Sequence, residues 1–277
     1  MVITVVGLGV VGGSFVKAFK GLGYEVYGID LNEETLRLAK EEGCILEGYK
    51  DGKEILPKTD LTIVCLYPSL FIDFMKNNTF KEGSIITDAL GVKSFFVEEV
   101  LKILPDNVEF ISGHPMAGRE KKGYAYASAE VFKNANYIIT PHSKNTPQAI
   151  ALLEILVRQL GFRSVKRVNI HEHDEIISFT SQLPHVLAVS LINSDQEKFE
   201  TGKFIGDSFR DLTRIANINE DLWYELFSKN KDNLLKSIND FEYQLDLMKK
   251  SIEEDDEQLM KQLFIKATNR RIKLEKK

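Results

Sequence analysis

His114 stands in GHPMAGREKKG, residues 113–123, ahead of a run of charge made by Arg119, Glu120, Lys121 and Lys122. An imidazole titrates near neutrality, so a fixed histidine can take or give a proton at working pH, typically worth about 10²–10⁴ in rate. A segment that opens and closes on glycine and carries Pro115 cannot be regular helix or central strand. It reads as a shaped loop, the kind of place where a rigid scaffold holds binding and catalytic groups. A second group of residues points to a nucleotide. Gly7, Gly9 and Gly12 form G-x-G-x-x-G within the turn that also holds Leu8, Val10 and Val11. Gly7 permits a tight turn, Gly9 lets the backbone approach a pyrophosphate, and Gly12 lets a helix pack close to a strand.

The elements that must position these residues are legible around them. Residues 2–6 are a β-branched apolar run, and Phe15, Ala18, Phe19 and Leu22 follow at helical spacing before Gly23. Strand, glycine turn and helix in that order are the context a dinucleotide site needs, with the phosphate on the helix N-terminus. Residues 25–29 read as a second strand ending at Asp30. That acid can bond a ribose diol and would repel a 2′-phosphate, and the first basic residue after it is Arg37, so NAD is expected over NADP. Alternatively, Asp30 or Asn32 caps a helix starting near Glu33. Further apolar runs at 61–66, 84–88, 108–112, 137–140 and 163–168, with helical patterns at 33–42 and 147–160, predict an α/β fold with a Rossmann-type doubly wound parallel sheet.

From about residue 170 the pattern becomes helical. Leu222, Leu226, Leu234, Leu235, Ile238, Phe241, Leu245 and Met248 mark long amphipathic helices whose apolar stripe is core, part of it shared with a second subunit. The expected division is therefore a dinucleotide-binding domain at 1–168 and an all-helical substrate and dimerisation domain at 169–277, giving a homodimer through the C-terminal helices. A net charge of −5 argues against nucleic-acid binding. No run approaches eighteen apolar residues, so no membrane span is expected. Two cysteines without metal spacing, and a first strand at the very N-terminus, suggest a cytoplasmic protein. His171 and His173 stand two apart on a predicted helix and do not face each other, so no metal is expected, and neither they nor His142 are given a role.

Three more segments complete the chemistry: DALGVK at 88–93 after a strand, SQLPH at 181–185 and DLTRIA at 211–216. With GLGVVGGS and GHPMAG-x-E-K-x-G, and in this order, they resemble the prephenate dehydrogenase family, tyrosine-pathway enzymes that include arogenate dehydrogenases. The likeness covers most of the chain. It implies an NAD(P) domain, a helical dimerisation domain and an active site between them. The implied reaction is oxidative decarboxylation of prephenate to 4-hydroxyphenylpyruvate with reduction of NAD. His114 would then partner the ring hydroxyl while a hydride leaves the carbon that bears it, and loss of CO₂ would restore aromaticity. Arg214 falls where the family binds a carboxylate, and a guanidinium holds one through two parallel bonds. His185 matches a substrate-side histidine. Glu120 is read as tying its loop to a basic partner across the domain interface.

The chain departs from that pattern twice. Many relatives have serine where Gly91 stands, able to bond the catalytic histidine or the substrate hydroxyl. Many have histidine where Gln182 stands, and an amide keeps hydrogen-bonding capacity but cannot become cationic. Arg119 adds positive charge that would favour prephenate over the amine-bearing arogenate. Arogenate is the rival substrate. An imine or 3-hydroxyacid reductase shares the architecture but does not account for GHPMAG or DLTRIA, and a non-catalytic NAD-binding module leaves His114 and Arg214 unexplained. From the 277 residues, neither a fused mutase nor a separate regulatory domain is expected.

Overall fold

The computed structural model describes residues 1–118 and 121–275. The chain divides into two compact units, Met1–Asn230 and Lys231–Lys277. The first opens as its sequence predicts, with strand β1 (Ile3–Val6), helix α1 (Val10–Gly21), strand β2 (Val26–Ile29) and helix α2 (Glu33–Glu41). Gly23 and Gly43 follow the two helices with φ of +77° and +64°, the left-handed backbone that ends a helix at glycine. Asn32 is the residue that caps α2, its side-chain oxygen accepting from Thr35 N–H at 3.1 Å.

Strands β3 (Gly48–Tyr49), β4 (Leu61–Val64), β5 (Ile85–Asp88) and β6 (Glu109–Phe110), with helices α3 (Pro68–Asn77) and α4 (Ser94–Ile103), complete the six-stranded sheet. Its order is β3-β2-β1-β4-β5-β6 and every pairing is parallel. This is the doubly wound dinucleotide-binding order. β1, β4 and β5 are buried along their whole length because both sheet faces are covered. Phe15, Phe19 and Phe132 pack in one core layer and Phe71, Phe96 and Phe110 in the other.

Two expectations change at this point. The apolar runs near 112, 137 and 164 do not extend the parallel sheet. They form a separate three-stranded sheet of β7 (Ser112–Pro115), β8 (Asn136–Thr140) and β9 (Ser164–Arg167), in which β7 pairs antiparallel with β8. Helix α5 (Pro147–Gln159) links β8 to β9. His114 accordingly sits on an edge strand and the loop begins after it. Pro115 is tolerated because an edge strand has one side without a ladder. The chain leaves the large sheet because Ile111 N–H still bonds Ile86 O at 2.8 Å, while Gly113 N–H is taken by the Asp88 carboxylate at 3.0 Å.

After β9 the described residues contain no further strand. Helix α6 (Ile170–Ile177), a π-helical turn (Ser178–Gln182) and helix α7 (Leu183–Asn193) form one continuous helix. Pro184 causes the π-turn. It has no N–H for the carbonyl of Thr180, and its ring crowds that carbonyl, so the backbone widens. By length and mean hydropathy (1.3) this helix could span a membrane. Hydrogen bonds from Lys93, Ser94 and His114 to Asp174 and His173 instead fasten it to the sheet portion. Helices α8 (Asp207–Thr213) and α9 (Glu220–Lys229) follow in the same unit. The second unit is a helical hairpin of α10 (Lys231–Glu253) and α11 (Glu257–Glu275), with the Asp256 carboxylate accepting from Leu259 N–H at 2.9 Å at its turn.

Candidate active site

The glycine turn has the shape a pyrophosphate needs. Gly7 lies at φ +81°, and a Cβ there would come within 2.7 Å of Cys65 O. A Cβ on Gly12 would meet Gly7 O at 1.9 Å, so these two glycines are required by packing alone. Gly9 differs, because a Cβ there would meet no atom within 4 Å. Its freedom is unused by the fold and keeps space open beside the N-terminus of α1, which carries no side-chain cap and no acid in its first turn. Unpaired N–H groups and the helix dipole favour an anion there. Gly9, Val10, Val11 and Gly12 line the cleft. Leu8 is buried behind it, its N–H donating to Asp30 Oδ2 at 2.7 Å, while Asp30 Oδ1 accepts from Asn32 N–H at 2.9 Å. A carboxylate has lone pairs left after two such bonds, so Asp30 can still accept from a ribose diol. These residues fit NAD.

The cleft has a volume of about 950 Å³ and runs along the carboxyl ends of β1, β4 and β5. Its sheet-side wall includes Cys65, Gly91, His114 and Met116; its helical wall includes Gln182, His185, Arg214 and Trp223. The imidazole and the guanidinium expected from the sequence therefore open onto one cavity, together with the glycine turn. Gly91 is open space with respect to backbone. A Cβ there would stand 4.0 Å from His114 Nε2 and 3.2 Å from Leu226 Cδ2. Glu120 and Arg119 lie outside the described residues.

His114 is half-buried, and behind it lies a network the sequence reading missed. Its Nδ1 is 2.9 Å from His173 Nε2, and His173 Nδ1 is 2.8 Å from Asp174 Oδ1. The two Asp174 oxygens also accept from the N–H groups of Lys93 and Ser94, each at 2.8 Å. Lys93 is fully buried, its ammonium paired with Asp88 and donating to Gly113 O. Burial, then His173 and the Lys93 ammonium, hold the His114 pKa well below its ordinary value. Burial lowers His173 as well, against the pull of Asp174. Burial pushes Asp174 up, but the bonds from His173 and Ser94 outweigh it and keep the carboxyl below its usual range. Both imidazoles are thus neutral at pH 7. The adjacent pair His173–Asp174 was the available signal, because a carboxylate beside a buried histidine commonly orients it.

On the helical wall, His185 Nδ1 donates to Ser181 O at 2.9 Å, and its ring stacks on Trp223 with centroids 3.6 Å apart. Gln182 is buried, its Nε2 donating to Leu226 O at 3.0 Å and its Oε1 accepting from Asn230 at 2.8 Å. Its amide thus joins the π-helical turn to Leu226 on α9 and to Asn230 just after it. Arg214 follows α8 and is exposed at the cleft.

A Rossmann sheet with a nucleotide cradle, a neutral histidine beside it and a helical wall bearing Arg214 define a nicotinamide-dependent dehydrogenase. The model of the prephenate dehydrogenase nucleotide-binding domain matches residues 15–166, and that of the prephenate dehydrogenase dimerization domain matches residues 169–265. The chain belongs to the prephenate dehydrogenase family. It is 29% identical to the prephenate dehydrogenase of Bacillus subtilis, over 97% of this chain and 75% of that protein. Among solved structures, it is similar to prephenate dehydrogenase from Aquifex aeolicus in complex with hydroxyphenyl propionate and NAD+. The TM-score there is 0.89 at 27% identity, covering 99% of this chain and 98% of that one. It is also similar to Synechocystis arogenate dehydrogenase, with a TM-score of 0.83 at 25% identity, covering 99% and 100%.

Proposed function

We propose that the protein oxidatively decarboxylates prephenate to 4-hydroxyphenylpyruvate, with NAD as the oxidant. The observation that carries this reading is the convergence of His114, Arg214 and the glycine turn on one cleft. Bound NAD supplies the acceptor for the hydrogen that leaves the hydroxyl-bearing ring carbon with its electron pair. His114 Nε2 takes the hydroxyl proton as that bond breaks. Loss of CO₂ leaves an electron pair in the ring, and His114 returns its proton to the phenolate oxygen, so no proton is gained or lost overall. Its lowered pKa keeps the ring unprotonated and ready to accept. Arg214 holds a substrate carboxylate through paired bonds. His185, braced by Ser181 O and Trp223, contributes a second polar contact, and Gln182 and Gly91 shape the wall between them. Gly7, Leu8, Gly9, Val10, Val11, Gly12 and Asp30 hold the cofactor, and Glu120 remains our choice for fastening its loop.

The domain division we favour stays at 168/169, and the assembly is a homodimer of a cytoplasmic protein. Support for the dimer comes from apolar side chains uncovered in the single chain, among them Phe179, Leu212, Tyr224 and Leu245, each more than half exposed. Purified protein with NAD and prephenate should produce reduced nicotinamide and CO₂ together. Parallel reactions with arogenate and with NADP read the substrate and cofactor preferences, and the absence of turnover in all four would overturn the reading.

A further inference from the structure

Nδ1 of His114 has, among the described residues, a hydrogen-bond partner in His173. The donor and acceptor roles along this chain follow from its far end. A carboxylate only accepts, so Asp174 Oδ1 requires a proton on His173 Nδ1. A neutral His173 then presents a lone pair at Nε2, which can only accept, and the proton between the rings must belong to His114 Nδ1. The opposite arrangement needs a doubly protonated His173. That cation would be fully buried with the Lys93 ammonium close by, and both effects oppose it.

We propose that His173, held by Asp174, is a positioning residue that fixes His114 as the Nδ1–H tautomer and so leaves Nε2 as the basic nitrogen toward the cleft. The inference rests on the reading of His114 as the proton acceptor. It also answers what Gly91 leaves open. A serine at 91 would approach His114 from the Nε2 side, since the Cβ position is 4.0 Å from that atom. It could bond Nε2 or a substrate hydroxyl, but it could not hold Nδ1. In this chain the orientation of the ring comes from behind.

The clamp is rigid for identifiable reasons. Asp174 is fixed by the N–H groups of Lys93 and Ser94 at the start of α4, and its own carbonyl accepts from Asn230 Nδ2 at 2.8 Å. The charged and titratable groups around the two rings are Asp88 and Lys93 at and after the end of β5, and Asp174 on α6. The cleft is further lined by Cys65, Tyr67, Lys121, Lys122, Tyr126, His185, Arg214 and Glu220, with Lys122 paired to Glu220.

The direct test is the tautomer itself. Imidazole ¹⁵N shifts of histidine-labelled full-length protein should show His114 protonated at Nδ1 and bare at Nε2 near neutral pH. The reverse tautomer in the wild type overturns the proposal without any variant or assay. In His173→Met the acceptor is gone at similar volume, and His114 should revert toward the Nε2–H form. kcat for prephenate should then fall on the order of 10- to 100-fold, with the KM values for NAD and prephenate changing less than about threefold. His173→Gln, whose amide oxygen can accept, should recover most of kcat. An unchanged kcat and unchanged ¹⁵N pattern in His173→Met would refute the role. Failure of the wild type to turn over prephenate would sink the reaction reading alone, because the tautomer measurement stands without it.

Discussion

The Asp88 carboxylate holds the backbone N–H of Gly113 at 3.0 Å, one residue before His114. The same carboxylate accepts from Leu90 N–H and from the buried Lys93 ammonium. One side chain thus sets where the chain leaves the large sheet and where the candidate base begins. Asp88→Asn should strand the Lys93 ammonium out of water. Removing one partner of a buried pair costs about 3–5 kcal/mol, and a urea unfolding curve should show that loss as a lower midpoint at unchanged slope.

His114→Asn removes the proposed proton acceptor but keeps a polar side chain on β7. Its kcat should drop by about 10²–10⁴ while the affinity for NAD, measured by fluorescence titration, stays near wild type. Undiminished turnover would remove His114 from the mechanism.

Arg214→Gln should act on binding. Charge-assisted bonds to a carboxylate contribute about 1.5–3 kcal/mol, so the prephenate KM should rise roughly 10- to 100-fold with a smaller change in kcat. A fall in kcat at constant KM would assign the guanidinium a different job.

Gly9 and Gly12 separate folding from cofactor binding. Gly12→Ala puts a methyl 1.9 Å from Gly7 O and should unfold or loosen the turn, seen as a lower melting temperature. Gly9→Ala meets nothing in the protein, so its melting temperature should match wild type while the NAD KM rises about tenfold or more. Equal NAD binding by Gly9→Ala would contradict the cradle.

Acid pH should affect activity and stability in one direction. Between the lowered folded values of His114 and His173 and their ordinary 6.5, the unfolded chain binds more protons than the folded one. Stability is therefore full above about pH 6.5 and declines as the pH falls below it. His142, lowered by burial, adds to the same trend. With His114 as the proposed base of the free enzyme, the acid limb of kcat/KM should lie below 6.5. A limb above 6.5 would contradict its environment.

What the sequence revealed was mostly what neighbouring residues decide. The first strand, the glycine turn and α1 are read from a β-branched run and a helical period, both local signals, and they stand within a residue or two of expectation. The second sheet was not legible, because Ser112–Pro115 has no strand period; it becomes a strand through its pairing with Asn136–Thr140 and through Asp88. The role of His173 was hidden for a related reason. Its spacing was tested only against His171, whereas its partner lies 59 positions away on another element. Gln182 was legible as a cleft residue, but its engagement with Leu226 and Asn230 depends on where the π-helical turn meets the end of α9.

Pro184 has an effect on how two histidines of its helix are aimed. Twelve positions separate His173 from His185, which on an unbroken α-helix would point them about 120° apart. The wide turn at Ser178–Gln182 absorbs one surplus residue, which brings the pair back toward a common side. A single rod can thereby brace the His114 ring from the rear with one imidazole and present another to the cleft from the front. The proline, by spoiling one rung of the backbone ladder, aligns two functions that regular geometry would have kept apart.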